Sequence, residues 1–522
     1  MFSDEAILPS GGWRIITGMT AEQADTSRPR RRWLQFSLRT LLLLILVASV
    51  GFAWLGAKYR RISKRREAVA VLENRGVSIT YEYEVDGSAG PPGPEWLRRL
   101  LGDDFFAEVH GASTYPHALA DEDLPYVKQL GDLSFLDVRG WQITDAGVEH
   151  LKGFTSLEGL SLEGTSVTDA GVPHLRGLTG LRSLILSDTQ VTDGGLTQLK
   201  GLTSLEYLTL RDTDVVGPGL EHLQRMTRLH HLDLSDTQVT DAGLKHLKRL
   251  RSLRQLDLSR TRVTDAGLAH LEELISLDKL DLSITQVSGP GLIHLERLSS
   301  LRSLSLAGTQ LTDAGLEELK AVTSLHDLDL SYTQVTGPGL ERLQGLTSLR
   351  SLNLSNTRVT DDGLGYLKGP VNLESLVLNN TQVAGPGLKH LKGLTHLEFL
   401  DLSNTQVTDA GLEHLQALSS LSALALCNVH VSDAGLEHLK RLAKLEFLVL
   451  RDTQVTDAGL VHLRGLTSLH ELVLAGPGIT DAGLKHLKEL TNLRTLSLAD
   501  TQVSGAGVEE LERAVPGVMI EY

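Results

Sequence analysis

Histidine is the residue whose recurrence first suggests chemistry. Eleven copies stand in GLxHL or GVxHL segments at multiples of 24 residues: His150, His174, His222, His246, His270, His294, His390, His414, His438, His462 and His486. A neutral imidazole is a common metal ligand, so such a row invites a reading as a ladder of metal sites. A site needs several converging donors, however, and no segment adds a Cys, Asp or second His at ligand spacing. Recurrence in nearly every unit points to packing or capping instead, and no metal is expected. Cys427 is the single cysteine, which excludes an intrachain disulfide; it follows a strand segment and is expected to pack or lie half exposed. The chain has no GxxxxGK[ST], HExxH, GxSxG or CxxC motif. Asp103-Asp104 and Asp121-Glu122-Asp123, in the non-repetitive region, read as helix-start and cap acids. Neither catalysis nor a cofactor is expected.

The elements that carry these histidines form an array. From Thr165 to Thr405 a threonine returns every 24 residues, within the unit LxxLxLxxTxVTDAGLxHLxxLxx. Its opening leucine runs from Leu133 to Leu493, giving 16 registers. A fixed period of this size means one supersecondary unit stacked many times. In LxxLxL the fourth and sixth positions alternate inward, as a strand buried on one face demands, and stacked strands make a parallel sheet. TDAGLxHLxxL has apolar residues at helical spacing. Four units replace DAG by GPG, at Gly217-Pro218-Gly219, Gly289-Pro290-Gly291, Gly337-Pro338-Gly339 and Gly385-Pro386-Gly387. Asp and Gly both serve as N-caps and Pro suits the first helical position, so the helix is expected to start there with Asp or Gly as its cap. At about 4.8 Å per strand, 16 strands extend roughly 75 Å, room for a protein or a long peptide.

These residues resemble the leucine-rich repeat family, specifically its 24-residue kind whose helical side opens with TDxGL, a relative of the cysteine-containing repeats of F-box-type adaptors. The resemblance covers residues 133 to 510. It implies an α/β solenoid, a horseshoe with a parallel concave sheet and short convex helices. Where the family usually has Asn or Cys after the strand, this chain has Thr, or Asn428-Val429 and Gly476-Pro477 in two irregular units. A threonine hydroxyl is expected to bond the neighbouring turn's backbone in their place.

On the concave face the outward positions are the third, fifth and seventh of LxxLxLx. At the fifth stand Asp233, Asp257 and Asp281 on three consecutive strands, then Asp329 and Asp401. Like charges opposite one another on neighbouring strands are unfavourable, which points to a cationic partner. The competing reading is that LDLS is simply a repeat consensus, with Arg254, Lys279, Arg302 and His231 close enough to compensate. Tyr207, Phe399 and Phe447 take the third position, where a leucine core does not need them, and exposed aromatics are typical binding anchors. Single exposed apolar residues are also ordinary.

The net charge of −15 conceals an asymmetry: residues 1 to 66 hold 12 Lys or Arg against 4 Asp or Glu, a balance of +8, leaving −23 on the remainder. That sign on the large domain argues against a nucleic-acid platform. The basic segment brackets Thr40 to Ala57, 18 uncharged residues that span about 27 Å as a helix, enough for a bilayer core. Arg28, Arg30, Arg31, Arg32 and Arg39 precede it, and Lys58, Arg60, Arg61, Lys64, Arg65 and Arg66 follow. Five against six selects no orientation by the positive-inside rule. A cleaved signal peptide is the rival, with Gly51-Phe52-Ala53 as cleavage site and Arg30-Arg31-Arg32-Trp33-Leu34 imitating a twin-arginine signal. The long charged leader and apolar Trp54-Leu55 favour a retained anchor.

The organisation expected is a basic tail (1–39), a transmembrane helix (40–57), a juxtamembrane junction with N-terminal cap (58–130), the solenoid (131–510) and a C-terminal cap (511–522). Within the junction, Lys64 to Arg75 reads as a continuation of the membrane helix, Val77 to Val85 as a strand, Glu95 to Leu101 as a helix and Asp103 to Val109 as another strand. Asp121 to Leu130 reads as a degraded helical segment of the repeat, and Val515 to Tyr522 as a closing half-unit strand. An Arg-rich leader with FSLRTLLLL, then EWLRRLLGDDFF, then TDAGL units resembles a group of bacterial membrane-anchored leucine-rich repeat proteins, which implies no particular activity. The function expected is a single-pass membrane protein holding a protein or peptide on its concave sheet, with the acidic row pointing to a cationic one. An F-box-like recognition adaptor and a structural or adhesion stalk of the envelope are the alternatives.

Overall fold

The computed structural model describes residues 37–88, 90–114 and 119–522. Arg28, Arg30, Arg31, Arg32 and the twin-arginine-like run lie outside them. The chain divides into two compact units, Met1–Arg60 and Arg61–Tyr522.

One helix, Leu38–Asn74, contains the uncharged run and continues through the basic residues after it. Its 18-residue apolar window has mean hydropathy 2.3 and none of it is buried in the protein. The helix's buried residues are Ile62, Ala68 and Leu72, beyond that window. Length and composition thus suffice for a bilayer crossing.

The junction departs from the sequence reading in two places. The strand expected over Val77–Val85 ends at Tyr81: its register to the next strand slips at Thr80/Tyr81, and Glu82–Val85 winds into one helical turn. The Glu84 carboxylate accepts the Tyr81 N–H at 2.9 Å and closes that turn. Alternation in YEYEV therefore reports the stacking of Tyr81 on Tyr83, 5.6 Å between centroids, rather than a strand. Asp103–Val109 is not a strand either. Asp103–Phe105 is a 3-10 turn, drawn in by ion pairs of Asp104 with Arg66 at 2.5 Å and Asp103 with Arg98 at 3.8 Å; the strand is Val109–Thr114. Glu95–Leu101 is helical as read.

Among the described residues nineteen strands form one sheet. Val77–Tyr81 runs antiparallel to Val109–Thr114, and from there to Met519–Glu521 each strand pairs in parallel with the next. Sixteen of these, Phe135–Asp137 through Thr495–Ser497, are the sixteen registers of the repeat. The leucines at the first, fourth and sixth positions are buried almost without exception, forming one continuous core with the leucines of the helical segments. Each contributes roughly 1.5–3 kcal/mol relative to exposure, so adjacent units hold one another rather than standing alone.

The TDxG motif has a physical account that corrects the expected cap. The residue in non-helical backbone before the helix is Thr, as at Thr144, Thr192 and Thr264, whose hydroxyl accepts the N–H two residues on. The Asp that follows is the first helical residue, and its carboxylate reaches across to the next unit. Asp121 accepts both the N–H and the hydroxyl of Thr144, at 2.8 and 2.5 Å. Asp145 does the same to Thr168, Asp169 to Thr192 and Asp241 to Thr264. The Gly is required because this carboxylate occupies the space of its side chain: a Cβ at Gly147 would lie 2.2 Å from Asp121 Oδ1. Asp121 thereby gives DEDLPYVKQL the role of a repeat segment in the ladder. In the GPG units the carboxylate is absent and backbones meet directly, with a Cβ on Gly217, at φ 131°, falling 2.7 Å from Gly243 Cα. Gly217 and Gly289 are caps as expected, whereas Gly337 and Gly385 are the first helical residues after Thr336 and Ala384.

The recurring buried threonine also differs from expectation. Thr165 donates to the Leu162 carbonyl at 2.7 Å, and Thr261 to Leu258 at 2.6 Å, so the hydroxyl closes its own turn and not its neighbour's.

Candidate functional site

With the helical side committed to these links, the other face of the sheet carries the residues singled out by the sequence. The strands place Tyr207 beside His231, their rings 5.9 Å apart, and His231 Nδ1 lies 3.0 Å from Gln255 Oε1 on the following strand. Asp233 stands opposite Asp257 and Asp257 opposite Asp281, in register on three adjacent strands. Ser305 separates Asp281 from Asp329. Asp401 stands apart, between Val377 and Ala425. Phe399 and Phe447 flank Ala423. The candidates therefore fall into two groups, one around Tyr207 to Asp329 and one around Phe399 to Phe447.

Each Asp has a local task as well. One carboxylate oxygen accepts the N–H of the Ser two residues on, at 2.8–2.9 Å, for Asp233, Asp257, Asp281, Asp329 and Asp401. Asn353 makes the same bond to Ser355 at 3.0 Å, so the turn needs an oxygen and not a charge. Ser235, Ser331, Ser355 and Ser403 are buried while Ser259 and Ser283 are partly buried, so the seventh position, expected to face outward, does so in only some units.

None of the four cationic residues expected to compensate forms an ion pair with the Asp row among the described residues. Arg302 pairs with Asp278 at 3.9 Å, His231 turns to Gln255, and Arg254 and Lys279 make no ion pair among the described residues. The electrostatic consequence appears at the central residue. Burial pushes the Asp257 carboxyl above its ordinary value, and the Asp281 and Asp233 charges push it further, against the pull of the Ser259 hydrogen bonds. The aromatics are less uniform than expected. Tyr207 is 51% exposed, while Phe399 and Phe447 are partly buried.

Three residues on this side escape the sequence reading. Phe135, 41% exposed, occupies the third position of the first repeat strand, against glycine on both neighbours, Gly111 and Gly159. Its signal was available, since it breaks the repeat as Tyr207 does. Ile284 and Tyr332 occupy the bend before the recurring threonine, at φ 54° and 56°, where other units have Asp, Asn, Arg or Gly. They are 49% and 67% exposed. A β-branched or bulky side chain in the left-handed region is a conformational outlier, visible in the sequence only once that bend is known.

The histidines lie on the helical side, and several of them bridge successive units. His246 Nδ1 is 3.3 Å from Gln224 Nε2, His438 Nδ1 is 3.2 Å from Gln416 Nε2, and His294 Nδ1 is 2.6 Å from Glu272 Oε1. Burial, with nearby lysines, pushes His246, His270 and His390 below the ordinary imidazole value. Among the described residues no three His, Cys, Asp or Glu side chains are grouped to hold a metal ion. Cys427 is half buried, its N–H donating to Ser403 Oγ at 3.2 Å.

The sheet, the leucine seam and the short helices define a leucine-rich repeat solenoid. Seven stretches, 226–248, 249–271, 297–320, 323–343, 345–368, 393–415 and 489–511, match the family described as Leucine Rich repeat, and the chain carries leucine-rich repeats. Among solved structures it is similar to an internalin, inlF, of Listeria monocytogenes: 23% identity over 73% of this chain and 94% of that one, at TM-score 0.46. It is similar also to a leucine-rich repeat protein of Leptospira interrogans, 21% identical over 76% of this chain and 92% of that one, at TM-score 0.47. A third is the leucine-rich repeat ectodomain of the receptor kinase GASSHO1/SCHENGEN3 of Arabidopsis thaliana, 18% identical over 84% and 60%, at TM-score 0.40. No curated protein sequence matches the chain.

Proposed function

We propose that this chain is a single-pass membrane protein of the 24-residue TDAGL kind whose concave sheet captures a protein or peptide ligand carrying basic side chains. The observation that carries this reading is the in-register row Asp233, Asp257 and Asp281, to which no cation forms an ion pair among the described residues. A partner's lysine or arginine would relieve that repulsion and form charge-assisted bonds with the oxygens not used by the serine turns. Tyr207 and Phe399 with Phe447 supply apolar contact on either side, and the helix Leu38–Asn74 supplies the anchor. Binding, and not catalysis, is the activity this supports.

The test is capture of a randomised peptide pool by the full chain in neutral detergent, compared with the D233K/D257K/D281K variant. Wild type is expected to enrich Lys- and Arg-containing peptides and the variant to lose that enrichment, with unchanged circular dichroism. Equal capture by both proteins would remove the acidic row from the mechanism and leave the stalk as the better reading.

A further inference from the structure

Outside the sheet face, four cations from three separate elements converge on one cavity of about 530 Å³. Arg61 and Lys64 lie one helical turn apart on Leu38–Asn74, Lys128 follows the helical turn Leu124–Val127, and Lys152 follows the turn Glu149–Leu151. Asp132 is the one carboxylate of the lining. Lys152 engages Glu149 at 3.0 Å, but Arg61, Lys64 and Lys128 have no ion pair and no side-chain hydrogen bond among the described residues. Such a concentration of positive charge stands out on a polypeptide whose balance beyond residue 66 is −23. Folding assembles it. Lys128 and Lys152 are far from the helix in sequence, so the clustering is not the ordinary basic flank of an apolar segment.

We propose that this cradle binds the phosphate of an anionic phospholipid headgroup. The inference rests on the anchored reading of the helix. The uncharged run ends at Ala57, and Arg61 follows four residues later, about 6 Å further along a helix, which is headgroup depth for a segment whose apolar part fills the bilayer core. Lysine and arginine together are suited to the phosphate, the guanidinium by two parallel bonds and the ammonium groups as point charges. Ordinary snorkelling holds a basic residue near the interface without selecting a lipid, whereas convergence of Lys128 and Lys152 on Arg61 and Lys64 gives selectivity for a charged headgroup over a zwitterionic one.

The experiment uses the full chain in neutral detergent, titrated with phosphatidylglycerol or phosphatidylcholine and followed by counting retained lipids in native mass spectrometry. Phosphatidylglycerol is expected to be retained preferentially. K128Q and K152Q are each expected to weaken its binding roughly fivefold, while R60Q, a helix cation outside the cradle, leaves it nearly unchanged. Equal retention of the two lipids, or equal losses in all three variants, overturns the proposal. Inorganic phosphate added as competitor separates the sources: saturation by millimolar phosphate without lipid preference assigns the cradle to a soluble phosphate ligand and overturns the headgroup assignment. Carbonate extraction of membranes reports separately on the anchor. A chain that washes off yet still selects phosphatidylglycerol through Lys128 and Lys152 defeats the anchored reading and leaves the cradle standing.

Discussion

Asp257 and Asp265 belong to one repeat, eight residues apart, and meet opposite fates. Burial raises the carboxyl of each. At Asp265, on the helical side, hydrogen bonds from Ser288, Gly291 and Gly289 outweigh burial and hold the carboxyl below its ordinary value. At Asp257, on the sheet face, the Ser259 bonds are outweighed by burial together with the Asp281 and Asp233 charges, and the carboxyl stays above it. The same residue type at the same period is thus satisfied on one face and left in repulsion on the other. What this teaches is how to read a repeat: a periodic polar residue is structural where its bonds close between units, and becomes a candidate for function where they do not.

The largest effect that would sharpen this contrast is loss of the helical-side carboxylate. Asp265 accepts the Ser288 N–H and hydroxyl and the N–H groups of Gly289 and Gly291, at 2.6–3.0 Å. Asp265→Ala leaves these donors without their acceptor, and is expected to cost about 3 kcal/mol in urea unfolding of the detergent-solubilised chain. The sign with pH follows from the depressed carboxyl. The stabilisation is full above the ordinary value of 3.8 and is lost as pH falls through the lower folded value. If Asp265→Ala costs no more than Asp257→Ala, the two faces do not differ in the way described.

A gain in stability is expected at the rim of the sheet. Ile284 holds φ 54° with 49% of its surface exposed, at a bend where Asn356, Asn380 and Asn404 stand in other units. The left-handed region costs a β-branched residue on the order of 1 kcal/mol more than Asn. Ile284→Asn should therefore raise stability by about 1 kcal/mol while weakening any ligand that docks against this rim. A destabilised variant would show that Ile284 packs inward to more effect than its exposure indicates.

Legibility follows the same division. The 24-residue period, the LxxLxL strands and the buried leucines were plain because each position repeats sixteen times and burial enforces it. The logic of TDxG was not, since an Asp that bonds a residue 23 positions later gives no local signal, and only the steric demand at Gly147 reveals why the glycine is there. In the junction, DDFFAEV carries the apolar pattern of a strand, but Arg66 and Arg98 draw its acids into a turn. On the sheet face the Asp row was visible, while the failure of Arg254 and Lys279 to neutralise it depends on side-chain directions that no spacing encodes.

The smallest effect tests the sheet face most directly. Asn353 already makes the Ser355 turn with an amide oxygen, so Asp257→Asn keeps the Ser259 bond and removes only charge. Because the folded Asp257 carboxyl is raised, the wild-type fold loses stability from this group as pH rises through that value and recovers it in full below the ordinary 3.8. The amide variant should therefore be more stable than wild type at pH 7, by less than about 1 kcal/mol given partial exposure and screening. The difference should shrink toward zero on acidification, and also in high salt, where repulsion from Asp233 and Asp281 is screened. A loss of stability at pH 7 would mean that an unrecognised cation holds Asp257 in its charged form. The row would then be a satisfied ladder like the one on the helical side, and the sheet would offer a basic ligand nothing that the fold does not already use.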